Sequence, residues 1–82
     1  MSDRIGVLAG NLNQYDAWLR RQSADVKRRA FYIHSPEAAR GLMYDLVLIG
    51  TWYELSLDLR TAASIGAVST TNEAMWGVER LG

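Results

Sequence analysis

No cysteine occurs among the 82 residues, which excludes disulfides, thiolate metal sites and a cysteine nucleophile and fits a reducing compartment. Histidine is nearly as scarce: His34 stands alone, so a zinc site would have to be carboxylate-rich, and no metal or other cofactor is expected. An excess of either charge is missing too. Nine basic side chains face nine acidic ones, which argues against a dedicated nucleic-acid coat or an electrostatic membrane binder. Long hydrophobic runs are also absent. The segment after Met-Ser-Asp-Arg is apolar for only about six residues, too short for a signal-peptide core or a membrane span. The expected location is the cytoplasm, with no membrane partner. Finally, Leu8-Ala9-Gly10-Asn11-Leu12 lacks the glycine spacing and the lysine of a phosphate-cradling P-loop, so ATP hydrolysis by this chain is not expected.

What the sequence does have is apolar content, 49% of it hydrophobic, enough for a core and against wholesale disorder. Residues 1–82 are expected to form a single α/β domain. A chain of this size buries only about 60% of its unfolded surface, so a partner or a second copy would add stability. Charge is unevenly spread. Residues 1–40 carry seven basic and four acidic side chains, residues 41–82 two and five, so the halves are +3 and −3. Most of the positive charge lies between Arg20 and Arg29, a stretch that falls between two expected elements and reads as a solvated connection, or alternatively as a phosphate or acidic-partner patch.

Ile5-Gly6-Val7-Leu8-Ala9 is an unbroken apolar run ending at Gly10-Asn11, as in a strand buried on both faces. Asn11 suits a helix N-cap, and Gln14 three residues on completes a capping-box arrangement. Leu12, Tyr15, Trp18 and Leu19 recur at helical spacing, which predicts an amphipathic helix from 12 to about 22. Ala30-Phe31-Tyr32-Ile33-His34 suits a second strand. Ser35 as cap, Pro36 at the first helical position and Glu37 in the first turn predict a short helix ending at Gly41. Leu46-Val47-Leu48-Ile49 is expected to be the central strand. Residues 54–64 fit either a helix or, through the alternation Leu55-Leu57-Leu59, a strand, and the helix is preferred. Ile65-Gly66-Ala67-Val68 is ambiguous, with an edge strand one reading. Ser69-Thr70-Thr71-Asn72 is expected to cap a last helix over 73–81. This order gives a small parallel sheet of three or four strands with flanking helices.

Two exposed edges and three tryptophans with four tyrosines favour association through an edge or an uncovered face. Trp52, Tyr53 and Trp76 are the candidate anchors, with Trp76 the one most expected to be exposed; filling a small core is the alternative for these rings. In open α/β sheets ligands bind outside the carboxyl ends of the strands. That edge would gather Gly10-Asn11, His34-Ser35 and Gly50-Thr51, making Asn11, Gln14, His34 and Ser35 candidate crevice residues that could receive an anion on helix-terminal amides. Capping alone also accounts for Asn11 and Ser35. A catalytic set of His34, Ser35 and Asp45 is disfavoured, because neighbours on a strand point to opposite faces.

Two segments are similar to the second RecA-like domain of superfamily 1 DNA helicases of the UvrD/Rep type. Ile5-Gly6-Val7-Leu8-Ala9-Gly10-Asn11-Leu12-Asn13-Gln14 resembles a strand-turn-helix reading roughly Ile-Ala-Val-Leu-x-Arg-x-Asn-x-Gln. Ala39-Arg40-Gly41-Leu42-Met43-Tyr44-Asp45-Leu46-Val47-Leu48-Ile49 resembles Ala-Lys-Gly-Leu-Glu-Phe-x-x-Val-Phe-Ile, which follows a Thr-x-His in the family. The resemblance implies a Rossmann-like, RecA-like fold without a P-loop, and carries single-strand-binding and nucleotide-communicating roles to Gln14, Arg40, Gly41, Leu42 and Tyr44, with His34 two positions out of register. The chain departs from the family at Gly10 and Met43, shows no arginine-finger motif over 54–81, and holds nothing corresponding to the ATP-binding first domain. The resemblance therefore implies a shared fold and a remnant nucleic-acid surface rather than a helicase. As a short protein the chain also resembles small proteins that bacteriophage genomes encode.

The leading expectation is a small non-catalytic interaction protein, phage-encoded, that binds itself as a homo-oligomer or binds a host protein. The alternative is a nucleic-acid binding module using Arg20, Arg21, Lys27, Arg28 and Arg29 for phosphates, Arg40 for a phosphate or base, and Tyr15 or Tyr32 for stacking. A further alternative is a degenerate nucleotide-binding domain at the crevice.

Overall fold

The structure, a computed structural model, describes residues 3–73. Strand β1 (Ile5–Leu8) is buried at all four positions, as its unbroken apolar run requires of a strand covered on both faces. Helix α1 (Leu12–Arg20) starts where Asn11 caps it, its Oδ1 accepting the Gln14 amide at 2.9 Å. Trp18 is the buried residue of this helix and Tyr15 and Leu19 are half-buried. Leu12 is 55% exposed, against its expected place on the core stripe, because it opens the helix at the rim of the sheet.

The basic stretch is not a plain connection. Residues Ala24–Arg29 form helix α2, capped by Ser23, with Asp25 in the first turn and Lys27, Arg28 and Arg29 in the last. That distribution suits the helix dipole at both ends, and Asp25 pairs with Arg28 at 2.7 Å and Arg29 at 2.9 Å. Strand β2 (Ala30–Tyr32) follows directly. Helix α3 (Pro36–Ala39) begins on Pro36, but Ser35 makes no side-chain capping bond, so proline at the first position sets this start without the expected cap. The chain then turns through Gly41 at φ +77°.

Strand β3 (Tyr44–Leu48) alternates buried and half-buried positions, and a short 3-10 turn covers Trp52–Glu54. Helix α4 (Leu57–Ile65), capped by Ser56, settles residues 57–65 as helical. Strand β4 (Ala67–Asn72) takes up Ser69-Thr70-Thr71-Asn72, which were expected to cap a helix. Those side chains are mostly exposed, so they carry none of the alternation that marks a half-buried strand. The expected last helix over 73–81 and Trp76 lie outside the described residues, apart from Glu73.

The four strands are all parallel in the order β2-β1-β3-β4, the α/β architecture expected, with both β1 and β3 central. Pairing slips by one residue between Tyr44 and Asp45, which leaves Val68 as a bulge. One face packs Leu8, Ile33, Tyr44, Leu46 and Leu48 against α3 and α4 through Ala39, Leu59 and Ala63. The other packs Ile5, Val7, Ala9 and Ile49 against α1 through Trp18, with Val26 of α2 alongside. Tyr44 is fully buried; its Oη donates to the Ala63 carbonyl at 2.5 Å and its ring meets Phe31 edge-on at 5.4 Å. Among the described residues no helix is long and apolar enough to cross a membrane.

Candidate functional site

Strand β2 lies on one side of β1 and β3 on the other, so the topological switch falls between β1 and β3. A ligand crevice would open there, outside their carboxyl ends. The two strands lead into Gly10-Asn11 and Gly50-Thr51. Gln14, on the first turn of α1, reaches into this gap. Its Oε1 accepts from the Gly10 amide at 2.8 Å and the Thr51 amide at 3.0 Å, and its Nε2 donates to Thr51 Oγ1 at 2.9 Å. The expected capping box is thus only half formed. Asn11 caps the helix, but the Gln14 side chain serves Gly10 and a loop 37 residues away.

The crevice is therefore satisfied from within. Two amides that could have faced an anion already bond one carboxamide oxygen. Gly50, at φ +56°, is where the second loop turns back over Gln14, and a Cβ there would strike the Gln14 carboxamide. Gly10, Gly50 and Thr51 belong to this constellation beside Asn11 and Gln14. Nothing local in the sequence marks Thr51 as the partner of Gln14; the signal was the shared position at the ends of two adjacent strands.

The other crevice candidates do not join it. His34 is exposed, with its ring 5.9 Å from Tyr32. The Ser35 carbonyl accepts from the Ala38 amide at 3.1 Å, but its hydroxyl makes no capping bond. Asp45 sits at the opposite end of the sheet, bonded through its own amide to Arg4 and accepting from Ser69 Oγ at 2.8 Å. His34, Ser35 and Asp45 cannot work as one catalytic set from opposite ends of the strands. No cluster of metal-ligating side chains occurs among the described residues.

The basic residues divide between two layers. Arg20, Arg21, Lys27, Arg28 and Arg29 belong to α1 and α2, whereas Arg40 follows α3 on the other face. Arg20 and Lys27 flank a shallow hollow with Asp16 and Leu19, and Arg28 and Arg29 share Asp25. The two candidate stacking rings use one another: Tyr15 lies on Tyr32 at 5.1 Å and 19°. Burial raises the Tyr15 phenol above its ordinary value, and Asp16 adds to the rise; burial likewise raises Tyr44.

Of the proposed anchors, Trp52 is half-buried and packs on the α3/α4 core, so it spends much of its ring inside. Tyr53 is 55% exposed and meets Trp52 edge-on at 6.0 Å. Leu57, four residues further, is 68% exposed. At the other end of the sheet, Met43 and Ile65 are exposed beside an apolar groove of about 550 Å3 that also involves Pro36, Ala39 and Leu42.

No family model, curated protein or solved structure matches this chain.

Proposed function

We propose that this chain is a non-catalytic interaction module that acts by binding a second copy of itself or another protein. One observation carries the reading. The position where an open α/β sheet would hold a ligand is filled by Gln14, while Tyr53, Leu57 and their neighbour Trp52 leave apolar surface on the loop and helix that follow β3. A tyrosine held against a tryptophan has few rotamers left to lose, and aromatic side chains are enriched among interface hot spots. Asp25 offsets two of the arginines, and Arg40 stands on a different layer, which disfavours a single phosphate-tracking groove.

The test is a photocrosslinking phenylalanine analogue placed at position 53, together with light scattering in the presence of short single-stranded DNA and thermal melts with nucleotides. Discrete protein adducts from position 53, an unchanged mass with DNA and unshifted melts are expected. A stoichiometric DNA complex that weakens steeply with salt, or a melt raised by a nucleotide, would overturn the reading.

A further inference from the structure

The two edges of the sheet are protected unequally. Strand β2 is three residues long, and the arginines at the end of α2 run straight into it. Short length and flanking charge are the usual ways to stop an edge from pairing. Strand β4 has neither. It is the longest strand, Ala67–Asn72, with no charged residue and no proline, and Val68, Ser69, Thr70 and Thr71 are exposed. Valine and threonine favour extended backbone. Its one protective feature is the bulge at Val68, which confines regular pairing to Ser69–Asn72.

The hydrogen-bond phase shows which groups face outward. The Tyr44 amide bonds the Gly66 carbonyl, whereas the Asp45 and Ile49 amides bond Arg4 and Leu8 on the β1 side. Backbone groups alternate along a strand, so Leu46, like Tyr44, bonds toward β4. Leu46 stands opposite Thr70. In a parallel ladder its bonds then go to the residues on either side of Thr70, and Thr70 directs its own N–H and C=O away from the sheet. Among the described residues no strand lies beyond them.

We propose that β4 pairs with β4 of a second copy, antiparallel about a two-fold axis through Thr70, to give a continuous eight-stranded sheet. The inference rests on the interaction reading above and assigns the self-binding surface within it. A second copy fits because the contact is self-complementary. Two Thr70 residues face each other as a hydrogen-bonded pair, each donating its amide to the other's carbonyl, and Ser69 lies opposite the partner's Thr71. No charge on β4 opposes this. At the far end of the strand Glu73 accepts from Trp18 Nε1 at 2.8 Å. A strand contact of this length falls below standard interface size, so the dimer is weak, with Kd on the order of 10–100 µM.

Light scattering of the full chain from about 5 µM to about 1 mM, with amide exchange at the two ends of that range, tests the pairing. The expected result is a monomer–dimer equilibrium in which the Thr70 amide becomes protected only at high concentration, while the Thr71 amide, bonded toward β3, is protected throughout. Thr70→Pro removes only an outward amide, a position where edge strands tolerate proline, and should raise Kd by about 30-fold through the two lost bonds. Thr70→Lys, which sets two like charges opposite each other, should dissociate the dimer without perturbing the ladder. Tyr53→Ala should leave it intact. A dimer whose Thr70 amide exchanges freely at high concentration, or that survives both Thr70 variants, overturns the β4 pairing but leaves the interaction reading standing. So does a protein that stays monomeric to 1 mM and yields heterologous adducts from position 53. A monomer with no adducts overturns both.

Discussion

Replacing Gln14 by alanine removes the two amide bonds to Oε1 and the bond from Nε2 to Thr51. Each such bond contributes about 1 kcal/mol net, and amides left without a partner in a part-buried setting cost more than the mean. The helix itself gains slightly from alanine, so the expected loss is about 2–3 kcal/mol. Against the roughly 5 kcal/mol typical of a small domain, that is about half the total. With a urea slope of about 1 kcal/mol/M, the unfolding midpoint should fall by about 2–3 M at unchanged slope. Gln14→Glu separates the acceptor role from mere bulk. Its carboxylate can still accept from both amides and from the Thr51 hydroxyl, so at pH 7 the cost should stay under about 1 kcal/mol. Two amide donors favour the ionised form and depress its pKa in the fold. Its stabilisation is therefore complete above the unfolded carboxyl range near about 4.3 and is lost as pH falls through the folded value. If Gln14→Ala shifts stability by less than about 0.5 kcal/mol, or Gln14→Glu equals it at pH 7, the lock between the two loops is not a stabilising device and the argument that the crevice is filled fails.

Two further outcomes follow from the core. Tyr15 and Tyr44 hold their protons to higher pH in the fold than in the unfolded chain, so their contribution is intact below about pH 10 and is lost as pH rises beyond it; urea midpoints from pH 8 to 11.5 should fall, and less steeply in Tyr44→Phe, whereas a flat or rising profile contradicts the burial. Trp18→Ala should cost about 3–5 kcal/mol as a large cavity in the α1 layer, while Trp18→Phe keeps most of the packing and loses the bond to Glu73; equal destabilisation in chemical denaturation would refute that division.

How much of this could be read from residues alone depends on how far each determinant reaches along the chain. The strands β1 and β3 and the helix α1 were legible because their cues are local: an apolar run, a cap, a periodic stripe. Helix α2 was not, because Ala24–Arg29 offers only two apolar side chains, an exposed Ala24 and a half-buried Val26. Its determinants are electrostatic instead, an acid at the start and bases at the end, and charge order within a basic stretch was the signal that could have revealed it. Strand β4 was legible only at its start, where an edge strand is one reading of 65–68 and Ala67 and Val68 do begin it; Ser69–Asn72 read as a helix cap for the opposite reason. Its side chains face solvent, so neither period nor polarity distinguishes it from a turn, and only the exposed side of β3 dictates its place. Gln14 combines both cases. Spacing from Asn11 correctly placed it in the first helical turn, but its bonds to Thr51 span 37 residues and exist only because the sheet order sets the ends of β1 and β3 side by side. The same adjacency that makes a crevice in this class of fold makes room for a side chain to close it, so the position of the site was inferable from element order whereas its occupant required the register of the strands.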